Sequence, residues 1–387
     1  MKFALFYHSF TSCWNHGNAH FLRGIARELI RLGHQVTVHE PQDGWSRINA
    51  IADGGATVLT EAEKLVPGVA IRTYAADNLD LDSALDGADI VIVHEWNTPE
   101  LVAALGERRL RGGRFLLFFH DTHHRLVTAP AEMDRFDLEG YDGVLAFGEV
   151  LRELYAARGW GRSAHTWHEA ADTALFHPRP ATAKETDLIW IGNWGDDERA
   201  RELQQFLLEP VARLSLRGRI HGVRYPEHVR ACLGEYGLAF AGWLPNHQVP
   251  GAYAQSRLTI HVPRRPYVEA LPGIPTIRVF EALACGMPLI CSPWSDAEGL
   301  LAPGSYLSAK NTDEMAAKLS LLLRDQDAAD ELARTGRQAV LSRHTCAHRV
   351  SELLAIIQAG QPCPAVSRSG PVDAVPAADL AQRIAVS

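Results

Sequence analysis

The sequence predicts an α/β protein built from two Rossmann-like, doubly wound domains that face each other across a cleft. Three observations carry this reading. The chain has 387 residues, and at ~100–200 residues per domain that length suits two. Short all-apolar runs alternate with amphipathic stretches, the pattern of parallel strands covered by helices on both faces. The alternation breaks once, at His177–Lys184, and then restarts.

In the first half, Phe3–Tyr7 is a short apolar strand, followed by a polar loop, His8–Asn18. Phe21, Leu22, Ile25, Ala26, Leu29 and Ile30 then recur at helical spacing, and Gly33 is a helix stop. Further strands are expected at Gln35–His39, Asp89–Val93, Phe115–Phe119 and Gly143–Phe147, with helices at Pro99–Glu107 and Glu149–Arg158. The break HPRPATAK, with two prolines among small residues, suits an interdomain linker. Beyond it, strands are expected at Leu188–Ile191, Arg219–Gly222, Leu238–Ala241, Leu258–Val262 and Leu289–Ser292. Helices are expected at Asp197–Leu216, Pro226–Tyr236, Ile277–Cys285, Thr312–Arg324, Asp327–Ser342 and Ala347–Ile357. The expected division is 1–178 for an acceptor-side domain and 179–345 for a nucleotide-sugar domain. A C-terminal helix, 346–359, would return toward the first domain, and 360–387 is a Pro/Ser/Ala-rich tail of disordered composition.

Composition excludes several classes. The net charge is −8 with no basic stripe, which argues against a nucleic-acid partner. No apolar run reaches the ~18 residues of a spanning helix, and the N-terminus has no signal-peptide pattern. The six cysteines form no CxxC pair, so neither a zinc knuckle nor a disulfide framework is indicated. Reduced thiols in the cytoplasm are the simplest reading, with peripheral membrane attachment left open. Oligomeric state leaves no signature.

Ligands of doubly wound sheets sit outside the strand C-termini, so the cleft is the default site. Within LPGIPTIRVFEALACG, Thr276 is a good N-cap, and the helix N-terminus offers amides and partial positive charge to a phosphate. Arg278 and Glu281 are three residues apart and share a face. A carboxylate one turn into the helix can accept both hydroxyls of a ribose. The plain alternative is an amphipathic helix with a surface ion pair. On the first-domain side, His120 and Asp121 directly follow the FLLFF strand, where acid–base groups belong. His94 and Glu95 end the neighbouring strand and are candidates for an acceptor pocket. In HSFTSCWNHGN, the residues Trp14, Asn15, His16, Gly17 and Asn18 are rich in functional groups for a simple connector. That loop lacks G-x-G-x-x-G, so a nicotinamide site is not supported. No remote ligand set accompanies the histidines, and no metal is expected.

The segment PTIRVFEALACGMPLICS resembles the donor-site segment of GT-B glycosyltransferases of the group-1, family-4-like set, nearest to the CgeB-type branch. DTALFHP, LIWIGN, AGWL and VPGAYAQSRLT follow the family's order from interdomain segment to base-binding loop. The resemblance implies that Glu281 binds the ribose of the donor. It implies that backbone near Thr276 and Ile277 meets the diphosphate or sugar, and that Gly192, Asn193 and Leu244 lie on the donor side. It implies that His120 contacts the donor sugar. A basic residue follows the family's first loop, which favours Arg199 as a phosphate ligand beside Arg278, with Arg264 and Arg265 as further candidates. The family often carries a second glutamate eight residues before the first; here that position is Gly273, with Glu269 four residues earlier. The activity implied is metal-independent transfer of a hexose-type sugar, with retention, from a nucleoside diphosphate sugar to a hydroxyl acceptor. UDP is the favoured nucleotide, and no cofactor beyond the donor is required. Two other readings stay open: a nucleotide-sugar-binding protein without catalysis, motivated by the missing glutamate, and an epimerase on the same scaffold.

Overall fold

The computed structural model describes residues 1–75, 77–180 and 183–360. Most of the tail therefore lies outside the described residues, as do Ala181 and Thr182 of the linker. Seven strands, β1 (Lys2–Phe6), β2 (Gln35–Pro41), β3 (Ala70–Tyr74), β4 (Ile90–His94), β5 (Leu116–Asp121), β6 (Gly143–Ala146) and β7 (Ala164–Thr166), form one parallel sheet of order β3-β2-β1-β4-β5-β6-β7. Six more, β8 (Thr186–Ile191), β9 (Gly218–His221), β10 (Leu238–Phe240), β11 (Ser256–His261), β12 (Leu289–Cys291) and β13 (Leu307–Ser308), form a second of order β10-β9-β8-β11-β12-β13. The order reverses between β1 and β4 and again between β8 and β11. Those two switch points are where the loops splay and a ligand fits.

The all-apolar runs became central strands: β4 is buried at every position, and β8 at all but one. Three strands were not expected. β3 (AIRTY) is an edge strand with exposed and half-buried residues, and β7 and β13 have three and two residues, so none shows a buried apolar run. The single helix expected over Asp197–Leu216 is instead α-helical from Asp197 to Leu203, a π turn at Gln204–Leu208, and α-helical again over Glu209–Arg213. Pro210 is the cause: it has no N–H to donate and its ring crowds the carbonyl four residues back.

The helix Cys346–Gly360 packs on Ala19–Arg31 of the first domain and buries Val350, Leu353 and Ile357. Trp167 Nε1 donates to the Arg349 carbonyl at 2.8 Å. Asp172 receives Arg27 at 2.5 and 2.6 Å, a structural pairing. The two helices cross at Gly24, where an added Cβ would stand 2.4 Å from Cys346 Sγ and 2.9 Å from Asp172 Cβ. Among the described residues, no helix is long and apolar enough to cross a membrane.

Both domains bury imidazoles. Burial lowers His120 and His261 to about 3, and His39, His221 and His344 to about 4. An unfolded imidazole titrates near ~6.5, so below that pH the unfolded chain binds more protons than the folded one. The stability these groups contribute is complete above about pH 6.5 and is lost as pH falls toward their folded values. Urea midpoints should therefore drop between pH 7 and pH 5. His120→Phe, which removes two ring nitrogens without partners, should make that dependence shallower by about one proton. Gly24→Ala should lower the unfolding free energy by about 1–3 kcal/mol in the same assay, through overpacking at the helix crossing.

Candidate functional site in the interdomain cleft

The loops after β1, β4 and β5 meet those after β8, β9 and β11 around two adjoining cavities. Asn15, His16, Gly17 and Asn193 line both. The smaller, about 120 Å³, is completed by Cys13, Gly192, His221, Val223, Trp243, Leu244, Asn246 and Arg278. The larger, about 570 Å³, includes Asn18, Trp45, Trp96, Thr122, His123, His124, Glu169, Arg224, Arg264, Tyr267, Thr276 and Ile277. The β1 loop is clasped to the second domain. Asn193 Nδ2 donates to Asn15 Oδ1, the Asn246 amide to Cys13 Sγ at 3.2 Å, and Asn246 Nδ2 to the Gly17 carbonyl at 3.3 Å. A Cβ on Gly17 would lie 2.9 Å from Ile277 Cγ2, so only glycine lets the loop come this close.

Thr276 precedes the helix Ile277–Ala284, but its hydroxyl pairs with His261 Nε2 at 2.8 Å and does not cap the helix amides. The helix N-terminus borders the larger cavity through Thr276 and Ile277, where the Ile277 amide meets Glu169 rather than a Thr276 cap. Arg278 and Glu281 do share a face, but not an exposed one. Glu281 is fully buried, with Oε1 2.9 Å from His20 Nε2 and Oε2 held by Arg278. The guanidinium of Arg278, rather than the carboxylate, is in the cavity wall.

Gly273 has φ +92°, and a Cβ there would meet Glu298 Cγ at 2.6 Å. Glu298 fills the space a side chain would need, and its carboxylate accepts from the Glu149 amide at 2.8 Å and lies 2.6 Å from His168 Nε2. Glu269 is no substitute, because it faces Arg265 at 3.4 Å outside the cleft. The carboxylate that does reach the cavity is Glu169, only 3% exposed, with Oε1 lacking a partner. Burial, then the nearby Glu281 charge, push its pKa well above the ordinary range; the Ile277 amide and Arg278 pull against them.

On the first-domain side β5 runs two residues further than its apolar pattern, and this corrects the placement of His120 and Asp121. Both belong to the strand, both are fully buried, and neither lines the cleft. Asp121 accepts from the His123 amide at 2.9 Å and the Tyr155 hydroxyl at 2.7 Å, and burial raises its pKa to about 6. Thr122, His123 and His124 form the wall instead. His94 and Glu95 are likewise fully buried, 3.0 Å apart between His94 Nε2 and Glu95 Oε2. Burial lowers the His94 pKa; burial and then Asp121 raise that of Glu95. Trp14 turns away to donate to Asp53 at 2.7 Å.

The arginines divide. Arg199 donates to the Val262 carbonyl and lies 5.4 Å over the Trp190 ring, and Arg265 pairs with Glu198 at 2.9 Å; both face a separate pocket. Arg264 reaches the larger cavity while pairing with Asp196 at 2.7 Å. Thus Asn15–Asn18, Gly192, Asn193, Leu244, Arg264, Thr276, Ile277 and Arg278 come together. His94, Glu95, His120, Asp121, Glu281, Trp14, Arg199 and Arg265 do not line either cavity. Trp45 and Trp96 were missed, and Glu169, His123 and His124 were not singled out as site residues. His123 and His124 stand in the same HDTHH run, and Glu169 is three residues past β7, a strand too short to read. Among the described residues, no group of three or more His, Cys, Asp or Glu side chains is arranged to hold a metal ion.

Residues 199–355 match the family described as glycosyl transferase-like. No curated protein matches the sequence. Among solved structures, an alpha-glucosyltransferase in complex with UDP and a 13-mer DNA superposes with a TM-score of 0.65 at 11% identity, over 92% of this chain and 99% of that one. Sucrose-phosphate synthase from Thermosynechococcus elongatus gives 0.63 at 14%, over 93% and 98%. HepE from Anabaena in complex with UDP and glucose gives 0.61 at 13%, over 92% and 99%. The chain has the GT-B fold of these glycosyltransferases, and the segment similar to the glycosyl transferase-like family is the one that carries Arg264, Arg278 and Glu281.

Proposed function

We propose that this protein is a glycosyltransferase of the group-1, family-4-like kind, on the CgeB-type branch. In this reading it moves a hexose-type sugar from a UDP-sugar to a hydroxyl acceptor without a bound metal. The observation that carries the reading is the pair of adjoining cavities with Arg278 in the wall of one and the helix N-terminus at Thr276–Ile277 in the wall of the other. The nucleotide sits in the smaller cavity near Leu244 and the Gly192–Asn193 turn. Its diphosphate lies over the amides at Thr276–Ile277 and draws Arg278 onto itself, which frees a Glu281 oxygen for the ribose. The sugar extends into the larger cavity beside Glu169. Complexes of similar structures with UDP and glucose support the choice of nucleotide.

In the reaction the bond from the anomeric carbon to the diphosphate oxygen breaks, and that oxygen keeps the electron pair. A new bond forms from the acceptor oxygen, whose proton passes to the departing diphosphate. Fixed donors at the leaving diphosphate, Arg278 and the helix amides, stabilise the charge that develops there. Retention rests on the family resemblance. Glu169, in the wall of the larger cavity, binds the donor sugar's hydroxyls. Asp121 acts from the layer beneath, its carboxylate holding the His123 amide, with His120 packed beside it against Trp167. The net charge of −8 favours a small-molecule or glycan acceptor over nucleic acid. The cysteine pattern supports a cytoplasmic reaction, free or peripheral to the membrane.

UDP should raise the melting temperature of the wild-type protein. Arg278→Ala should weaken UDP binding by about ten- to hundredfold, the loss expected for hydrogen bonds to a charged group; titration calorimetry with an unshifted affinity would remove Arg278 from the phosphate site. Glu169→Gln should leave UDP affinity unchanged and slow transfer at saturating UDP-sugar by at least about tenfold, on the scale of one charge-assisted hydrogen bond. A full transfer rate in this variant would remove Glu169 from the reaction.

A further inference from the structure

Between β1 and the helix Ala19–Arg31 the chain runs through residues 7–18 without a strand or helix of its own. A stretch of that kind has no backbone ladder to order it, so side chains must hold it. This one supplies Asn15, His16 and Gly17 to both cleft cavities.

The hold begins at Glu40, near the end of β2. Strand alternation puts Glu40 on the same face as Val36 and Val38, and it is fully buried. Its carboxylate turns to the loop. Oε1 accepts from the Phe10 amide at 2.9 Å and the Thr11 amide at 3.2 Å. Oε2 accepts from the Thr11 amide at 3.2 Å and the Thr11 hydroxyl at 2.7 Å. Arg23, also buried, donates to the Phe10 carbonyl at 2.6 Å. The peptide between Phe10 and Thr11 is thus gripped at its N–H by a buried anion and at its C=O by a buried cation. Arg47 closes the group, donating to the Thr11 hydroxyl at 2.8 Å and standing 3.9 Å from Glu40 Oε2. Further along, Ser12 Oγ donates to the Ser46 carbonyl at 2.9 Å, and Ser46 Oγ to the Trp14 carbonyl at 2.8 Å.

Glu40 itself lines neither cavity. A leucine there would serve the core as Val36 and Val38 do, whereas a carboxylate cut off from water is costly unless its oxygens are bonded. Those bonds all go to the loop, and charge-assisted bonds of this kind are the strong ones. The strand does not need the carboxylate; the loop does.

We propose that Glu40 is a positioning residue for the donor site: it sets the β1 loop so that Asn15, His16 and Gly17 complete both cavities before a ligand arrives. The consequence for UDP rests on the transferase reading above; the hold on the loop does not. A loop that is in place for only a fraction of the time lowers apparent affinity by that fraction.

The test compares Glu40→Leu and Glu40→Gln with a control, Leu105→Ala, which opens a cavity in a core cluster that includes no residue of the loop. UDP affinity is measured by titration calorimetry and backbone order by hydrogen exchange. Glu40→Leu should weaken UDP binding at least about tenfold, the scale of lost hydrogen bonds to a charged group. It should also speed exchange across the β1 loop while β8 and β9 keep theirs. Glu40→Gln, which retains one oxygen for the Phe10 and Thr11 amides, should recover part of both. Leu105→Ala should lower the urea midpoint and leave UDP affinity unchanged. If Glu40→Leu does not fold, Thr11→Val, which removes the shortest contact of Glu40, should show the same two changes at smaller size. Unchanged UDP affinity in the folded variants of this contact overturns the proposal, as does an equal loss in Leu105→Ala. Faster exchange confined to the loop, in a protein whose wild type binds no UDP, removes the donor reading and supports Glu40 as the residue that sets the loop.

Discussion

The buried carboxylate of Glu281 ties the two halves together. It is fully buried between His20, on the long first helix of the N-terminal domain, and Arg278, on its own helix. A carboxylate taken from water this completely needs its partners, because an unpaired one would be driven to its neutral form. Arg278 supplies the pairing through Oε2, while Oε1 lies 2.9 Å from His20 Nε2 without a hydrogen bond, and this packing sets the helix Ile277–Ala284 against the first domain, with its N-terminus and the Arg278 guanidinium at the cavities. Gly17 completes the approach by letting the β1 loop lie against Ile277. Charge placement and domain registry are here the same set of contacts.

The cleft walls contrast with what lies beneath them. Under the larger cavity, His8, His94 and His120 follow one another with ring centroids 5.3 and 5.4 Å apart, and Trp167 closes the row at 4.8 Å from His120. Neutral imidazoles fill aromatic volume while retaining one donor and one acceptor each. Several of those nitrogens go unused, and each unused one is a cost to folding.

The two sheets were legible because β1, β4, β5 and β8 are apolar on both faces, and only a doubly covered parallel sheet requires that. β3, β7 and β13 lie toward sheet edges or are too short to show a period. The site was legible in part. Helical spacing put Arg278 and Glu281 on one face, but which of them meets the cavity depends on His20, a residue 261 positions away. The FLLFF pattern placed the strand but not its end, so His120 and Asp121 were read as loop residues when the loop begins at Thr122. The missing glutamate at Gly273 was visible in sequence. The reason glycine is needed there, a left-handed backbone packed on Glu298, was not.

The chain passes between the domains twice, once after β7 and once before its last helix. Where the second passage ends, the two segments are hydrogen-bonded side by side: the Ala171 amide donates to the His344 carbonyl at 3.0 Å, and the Cys346 amide to the Ala171 carbonyl at 3.1 Å. A single connection would let the domains swivel freely. Two connections joined along a line resist twisting about any axis but that line, so opening and closing reduce to one rotation, like a door on two adjacent pins. The same line, with the contacts around Glu281 and Gly17, sets one alignment of Arg278, Glu169 and the β1 loop across the cleft.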